Sequence, residues 1–365
     1  MWGEDLIASH LDGNIYVWDS SVGVSSRATL IAAAPTSNKS VLVSSEDRHV
    51  IALGANGDPM LINWCDSEDY NDWTPTTTNT AGDKRVDRGS ALMRGVEFRN
   101  THLIFTDAAM YNMRFIGPPY TFSVEPVGAT GGLMGPNAVV VYADVCYWMG
   151  TQNFYFYDGT IQVLPCPVFE TVFKDFNFAQ GAKVWAGANN RFDEVWWLYC
   201  SEGSDEVDRY VLYSTVEKHW AFGTVARTVY VGDSDVVGDI YAVSADGYLY
   251  YHDVGTTADG SALNAYLASG DVELAPDGEQ LMHISKLIPD FKRLTGEVAL
   301  TVTTKRYPQD TETQSSAALT INSSTKFINP RVRGRQASLR VESNSTTADW
   351  RMGTMRVEMR PHGKR

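Results

Sequence analysis

The sequence predicts an all-β protein: a β-propeller-like domain over residues 1–257, then a small β-sandwich over 258–365. Three observations carry that reading. Short aromatic and β-branched runs alternate with Gly, Asp, Asn and Pro turns, and helical periodicity is nearly absent. Aromatic strands ending in a polar turn recur at Trp18, Trp64, Tyr111, Tyr157, Tyr213 and Tyr251, with a mean spacing of about 47 residues. From residue 258 onward, aromatic density falls and plain alternating strands take over.

The repeat sets the expected architecture. Four strands of five or six residues plus their turns fill about 45 residues, the length of a propeller blade. A blade cannot bury both faces alone; radial stacking buries them and leaves only short edges. The recurrences imply about six blades. Only 17 residues precede Trp18, too few for a full set of inner strands, so the first blade is expected to be incomplete. Later residues of the chain, an upstream segment of a longer protein, or another polypeptide are the candidates to complete it.

One stretch illustrates a blade. Glu194–Tyr199 reads as a strand, Ser201–Glu206 as a polar loop and Tyr210–Tyr213 as the return strand. Trp196, Trp197 and Trp220 are expected to pack between sheets, because aromatics dominate core energetics; a ligand cage is the alternative. Gly255–Gly260 reads as a linker, and Gly260–Leu267 as either a helical turn or a strand. Residues 285–291, 297–303, 318–321, 337–342 and 355–359 then alternate as the strands of a sandwich.

Composition narrows the function classes. Mean hydropathy is −0.22, and no apolar run approaches the ~20 residues of a membrane span. The opening MWGEDLIASHLDGN lacks the basic and apolar regions of a signal peptide. The net charge of −14 is uneven: residues 331–365 hold 9 Lys/Arg against 3 Asp/Glu. An acidic body disfavours tight wrapping of nucleic acid, where phosphate contacts dominate affinity, but permits a passage along which DNA slides. The basic end reads either as a solvated edge or as a contact for an acidic partner.

Chemistry-bearing patterns are scarce. Cys65, Cys146, Cys166 and Cys200 sit in or beside apolar stretches with no metal-ligand spacing, and reduced thiols are expected. His10, His49, His102, His219, His252, His283 and His362 are scattered. Cys65–Asp72 is acid-rich but lacks the spacing of a calcium loop, so it reads as a solvated turn. No phosphate loop, dinucleotide fingerprint, zinc-protease helix or nucleophile elbow occurs. Asp107, Asp144, Asp158, Asp193, Glu194 and Asp246 are the carboxylates a channel-lining glycosidase would draw on. Ser244–Tyr248 does not satisfy the Asp-box of sialidase-like propellers. The expectation is no catalytic, cofactor-binding or metal residues, and no enzyme.

Several phrases form a set: DPMLINWCDSEDYNDWTP (58–75), THLIFTDAAMY (101–111), GPPYTF (117–122), FYFYDG (154–159) and DRYVLYSTVEKHW (208–220). RGRQASLRVES (333–343) and WRMGTMRVEMRPHGKR (350–365) belong with them. Together they resemble the tail nozzle, or tail tubular protein B-like, family of short-tailed bacteriophages, and more loosely the packaged-DNA stabilisation proteins. The resemblance implies a virion structural protein assembled in the bacterial cytoplasm. It implies a ring of identical copies, typically sixfold, below the portal and adaptor. DNA would pass through its channel without specific binding. Members are usually longer, with the additional part upstream, which fits an incomplete first blade. Arg333, Arg335 and Arg340 are the candidate subunit-interface residues. A propeller-type receptor- or glycan-binding tail protein is the alternative.

Overall fold

The computed structural model describes residues 2–128, 132–232, 238–273, 280–311 and 314–363. Two compact units divide the chain, Met1–Asp253 and Val254–Arg365. Among the described residues the first unit forms six antiparallel sheets in chain order. The first holds β1 (Leu6–Ser9), β2 (Ile15–Trp18) and β3 (Thr29–Leu30). The second holds β4 (Ser40–Ser44), β5 (His49–Leu53), β6 (Leu61–Trp64) and β7 (Gly82–Arg85). The third holds β8 (Leu92–Phe98), β9 (Thr101–Thr106), β10 (Met110–Gly117) and β11 (Thr121–Gly128). The fourth holds β12 (Val139–Tyr142), β13 (Val145–Met149), β14 (Phe154–Tyr157) and β15 (Ile161–Val163). After a short helix, α1 (Phe169–Lys174), the fifth holds β16 (Trp185–Asn189), β17 (Glu194–Tyr199), β18 (Arg209–Ser214) and β19 (Trp220–Thr224). The sixth holds β20 (Val229–Val231), β21 (Ile240–Val243) and β22 (Leu249–His252).

Each sheet is a simple meander. The first strand of each sheet neighbours the first strand of the next, from β1 through β4, β8, β12 and β16 to β20. This is a propeller's construction. Side-chain alternation makes it work. On β5, Val50 and Ala52 pack toward the first sheet with Ile7, Ile15 and Val17. The intervening Ile51 and Leu53 pack toward the third with Ile104 and Met113. Likewise the adjacent Trp196 and Trp197 of β17 point opposite ways. Trp197 meets Phe154 of the fourth sheet at 4.9 Å, and Trp196 stacks on Tyr230 of the sixth at 5.5 Å. Trp220 lies 6.0 Å from Trp197. The three tryptophans are inter-sheet packing, as the sequence reading favoured over a cage.

The aromatic repeat has a definite phase. Trp64, Tyr111, Tyr157, Tyr213 and Tyr251 all lie in the third strand of their sheets, whereas Trp18 ends the second strand of the first sheet. Among the described residues the first and sixth sheets hold three strands each and the other four hold four.

The second unit holds β23 (Thr257–Ala258), β24 (Ser261–Ala268), β25 (Val272–Glu273), β26 (Met282–Ile288), β27 (Phe291–Thr295) and β28 (Val298–Lys305). It continues with β29 (Gln314–Ser315), β30 (Leu319–Ile321), β31 (Val332–Gly334), β32 (Gln336–Ser345), β33 (Asp349–Met352) and β34 (Arg356–Pro361). Around β24, β32 and β28 a seven-stranded sheet forms, and β31-β26-β34 form a second sheet. Met282, Ile284 and Leu287 from the smaller sheet bury against Val298, Leu300, Val302 and Val341 from the larger. That is a two-layer sandwich. Gly260–Leu267, open between helix and strand in the sequence, falls largely in β24. The stretch expected as a linker forms the β23–β24 hairpin, with Thr257 opposite Ala262 and Ala258 opposite Ser261.

Two buried histidines give the first unit a pH dependence. The His49 and His102 rings lie 5.0 and 6.4 Å from Phe122. Burial holds both imidazoles below the ordinary histidine range, against opposing pulls from Asp47, Asp66, Glu97 and Glu46. The folded state then binds fewer protons than the unfolded state below about pH 6.5. Stability is fully present above that pH and declines as pH falls toward the depressed folded values. The urea midpoint is expected to drop between pH 7.5 and 5, and His102→Leu to flatten the drop. An unchanged slope in that variant would refute the assignment.

Candidate interaction surface

Among the described residues of the first unit, the carboxylates singled out from the sequence are engaged in local hydrogen bonds or lie in turns. Asp66 accepts from Thr80 N at 2.7 Å and Ser67 N at 2.9 Å, while Asp72 accepts from Asn79 Nδ2 at 2.8 Å. These bonds close the acid-rich Cys65–Asp72 stretch as a turn. Asp107 accepts from Ser90 N at 2.7 Å, Asp193 from the Tyr142 hydroxyl at 2.5 Å and Glu194 from Trp196 Nε1 at 2.9 Å. Burial raises the Glu194 carboxyl above the usual carboxylate range. Asp158 accepts from Thr160 N at 3.4 Å, and Asp144 and Asp246 lie in turns. Among the described residues, no group of three or more His, Cys, Asp or Glu is placed to hold a metal ion.

All four cysteines are free thiols; Cys65, Cys146 and Cys200 are buried and Cys166 is half-buried. Burial pushes the Cys65 thiol up to about 12 and those of Cys166 and Cys200 up to about 11. Little reactive thiolate exists at neutral pH. An aromatic disulfide reagent at pH 7.5 is expected to modify the native chain slowly and all four thiols promptly in urea. Fast native labelling of Cys65 would contradict the burial.

The second unit offers a charged surface. Cross-strand neighbours on a sheet share a face. His283 of β26 stands opposite Arg333 of β31 on one side and Arg360 of β34 on the other. Lys286 stands opposite Glu358, and Ile288 opposite Arg356. The inner face of this sheet is apolar, so Arg333, His283, Arg356 and Arg360 mark its outer face. Arg333 donates to the His362 carbonyl at 3.1 Å, and the His283 and His362 rings are 5.7 Å apart. The acid on this row, Glu358, pairs with Arg360 at 2.9 Å, leaving a net positive face.

Of the three arginines singled out from the sequence, Arg333 lies on this surface and Arg335 and Arg340 do not. Arg335 lies in the connection between the two sheets, its N–H bonded to the Lys305 carbonyl at 2.8 Å. Arg340 sits on the outer face of the larger sheet, the opposite side of the sandwich from Arg333. There it stacks over Tyr266 at 4.0 Å and pairs with Glu342 at 2.8 Å. A shallow groove beside it is lined by Gly270, Asp271, Thr303, Lys305 and Arg340. The Lys305–Asp271 pair at 2.7 Å satisfies its lysine. His283, Arg356 and Arg360 were missed by the sequence reading. The Arg-Val-Glu-Met-Arg alternation at 356–360 was the available signal, since period two puts its charges on one strand face.

Fold and surface together define a β-propeller joined to a β-sandwich. Neither a protein-family model nor a curated protein matches the chain. Among solved structures, Hsv2p of Kluyveromyces lactis is similar at 10% identity, over 68% of this chain and 70% of that one, with a TM-score of 0.39. The extracellular domain of a hybrid two-component system protein from B. thetaiotaomicron is similar at 10% identity, over 69% of this chain and 32% of that one, with a TM-score of 0.42. This chain thus spans about a third of the second protein's length. The fold assignment rests on the chain's own sheets and their order.

Proposed function

We propose that this chain is a structural protein of a bacteriophage tail, part of the nozzle or hub ring through which DNA is retained and ejected. The observation that carries the reading is the separation of charge between its units. Met1–Asp253 holds 15 Lys/Arg against 32 Asp/Glu, and Val254–Arg365 holds 15 against 12. A strongly acidic propeller repels the duplex and lets it pass without adhering. A basic sandwich face suits docking to an acidic neighbour, such as the next copy in the ring or a tail adaptor. The resemblance to nozzle proteins supports the same role, with assembly in the host cytoplasm and residence in the virion tail. No reaction is assigned to the chain.

Immunogold electron microscopy of phage particles tests the reading. Label on the tail axis below the capsid is the expected result; particles without label would overturn it. The docking face has its own test. Arg333→Glu with Arg360→Glu is expected to abolish ring assembly in mass photometry at low salt, whereas Arg340→Glu leaves it intact. Assembly unaffected by the double change would remove this face from the interface.

A second reading, host-receptor or glycan binding, draws on one observation. Tyr120, Tyr248 and Tyr307 project from turns with 76%, 66% and 54% of their surfaces exposed. Exposed aromatic rings are suited to stacking on sugars. Saccharide binding lost in Tyr120→Ala and Tyr248→Ala, with label on peripheral fibres, would favour it.

A further inference from the structure

Half-buried cations of the first unit come with partners. Lys39 pairs with Asp12, Lys183 with Glu206 at 2.7 Å, and Arg209 with Asp175 at 3.1 Å and Asp208 at 2.8 Å. Arg48 lies over the Trp2 ring at 5.3 Å and Arg227 over the Tyr250 ring at 3.7 Å. Arg94 is the exception. It is half-buried, yet among the described residues its guanidinium has no hydrogen bond, ion pair or ring contact. Burial pushes its ionisation below the ordinary arginine range, and no carboxylate offsets that pull. An arginine stays charged in a folded protein all the same. In a unit with 32 Asp/Glu against 15 Lys/Arg, a carboxylate neighbour would be the ordinary outcome.

The backbone aims this side chain. Along β8 the register against β9 slips between Leu92 and Arg94, a β-bulge. Leu92 packs toward the second sheet with Ile51 and Ile62, and plain alternation would send Arg94 the same way. The extra residue reverses it. Arg94 stands opposite Phe105, whose ring meets Trp148 of the fourth sheet at 5.3 Å, and opposite residues share a face. The neighbours agree. Met93 and Val96 pack into the core shared with the fourth sheet, whereas a Cβ on Gly95 would lie 2.6 Å from Leu42 Cδ2 of the second. Bulges are over-represented beside functional sites because they re-aim a side chain. β8 and β12 are the first strands of their sheets and neighbour each other, so Arg94 stands on the inner side of the junction between the third and fourth sheets.

We propose that Arg94 anchors an oxyanion site, taking a group of the phosphate class at the inner side of this junction. A desolvated charge without a counter-charge is costly, and a bound anion removes that cost. The planar guanidinium presents parallel N–H donors that match two oxygens of a tetrahedral oxyanion. Met93, Phe105 and Val96 give the pair an apolar surround, where a charge-assisted hydrogen bond is stronger than in water. Inorganic phosphate and a phosphodiester of nucleic acid present the same oxygens, so both are sources of the group.

Thermal unfolding of the full chain tests this, in sodium phosphate against sodium chloride at equal ionic strength and neutral pH. Phosphate at about 20 mM is expected to raise the midpoint of the first unit by at least about 2 °C. Arg94→Met keeps the bulk and drops the charge, so it is expected to lose that increment while folding as well as the wild type in chloride. Hydrogen exchange supplies a local readout on the wild-type chain, which stands even if the variant folds poorly. Inorganic phosphate is expected to slow the amides of Met93–Gly95 and to leave those of Val50–Leu53 alone. A short DNA duplex in phosphate-free buffer separates the sources: slowing with phosphate alone marks the free ion, and slowing with the duplex marks a phosphodiester. Two results would overturn the proposal. One is a phosphate increment of equal size in both chains, which is general salting-out. The other is no slowing at Met93–Gly95 with either probe. Neither readout depends on the tail reading.

Discussion

Replacing Trp197 by Ala is expected to cost about 3–5 kcal/mol of stability in the first unit. Trp197 is completely buried. Its ring fills the space between the fourth and fifth sheets against Phe154 and Trp220. Its Nε1–H donates to the Ala138 carbonyl at 3.2 Å. Truncation removes the packing, leaves a cavity that rigid sheets collapse poorly and removes one of two hydrogen bonds to the Ala138 carbonyl, which keeps the Met149 N–H at 3.0 Å. Domains of ordinary stability hold about 5–15 kcal/mol, so the loss is a large fraction of the total. Trp196→Ala is the informative partner. That ring is half-buried and stacks on Tyr210 and Tyr230, so its loss should be smaller and felt mainly by the sixth sheet. Urea unfolding followed by fluorescence should show two transitions if the compact units melt separately. Only the transition belonging to Met1–Asp253 should move. A cost below about 1 kcal/mol for Trp197→Ala would mean that the two sheets do not share this core.

The fold was legible because the packing problem repeats along the chain. The second to sixth sheets each carry a large aromatic in the third strand, so Trp64, Tyr111, Tyr157, Tyr213 and Tyr251 recur at similar steps. Period two then sorts each strand into two faces, which is why adjacent Trp196 and Trp197 serve different interfaces. The charged surface was half legible. Arg333, Arg335 and Arg340 were grouped on proximity in the basic stretch of the chain alone. The sandwich turns the chain between β31 and β32 and sends Arg333 and Arg340 to opposite faces. His283 and Arg360 reach Arg333 through antiparallel register, information that no local pattern contains.

Gly187→Val is expected to cost about 1–3 kcal/mol and to loosen the sixth sheet from the fifth. Gly187 stands opposite Trp196 on β16, and its backbone needs no special conformation. It is glycine for want of space: a Cβ there would lie 2.5 Å from Tyr230 Cδ1 and 3.2 Å from the Tyr230 carbonyl oxygen. Tyr230 is anchored on both counts. Its ring stacks on Trp196 with planes 10° apart, and its carbonyl accepts from Trp185 Nε1 at 2.8 Å. A valine side chain must displace the ring or the strand that carries it. Tyr230, Ile240 and Ala242 bury against Leu198 and Val207 of the fifth unit of the repeat, so the displacement propagates along β20 and β21. Exchange should rise across Ile240–His252, while Val50–Leu53 in the second sheet keeps its protection. The same measurement separates two arrangements of the propeller. In a ring open between the sixth and first sheets, loosening the sixth leaves Ile15–Trp18 untouched. In a closed ring the first sheet would lose a supporting neighbour, and its amides would speed up together with those of the sixth.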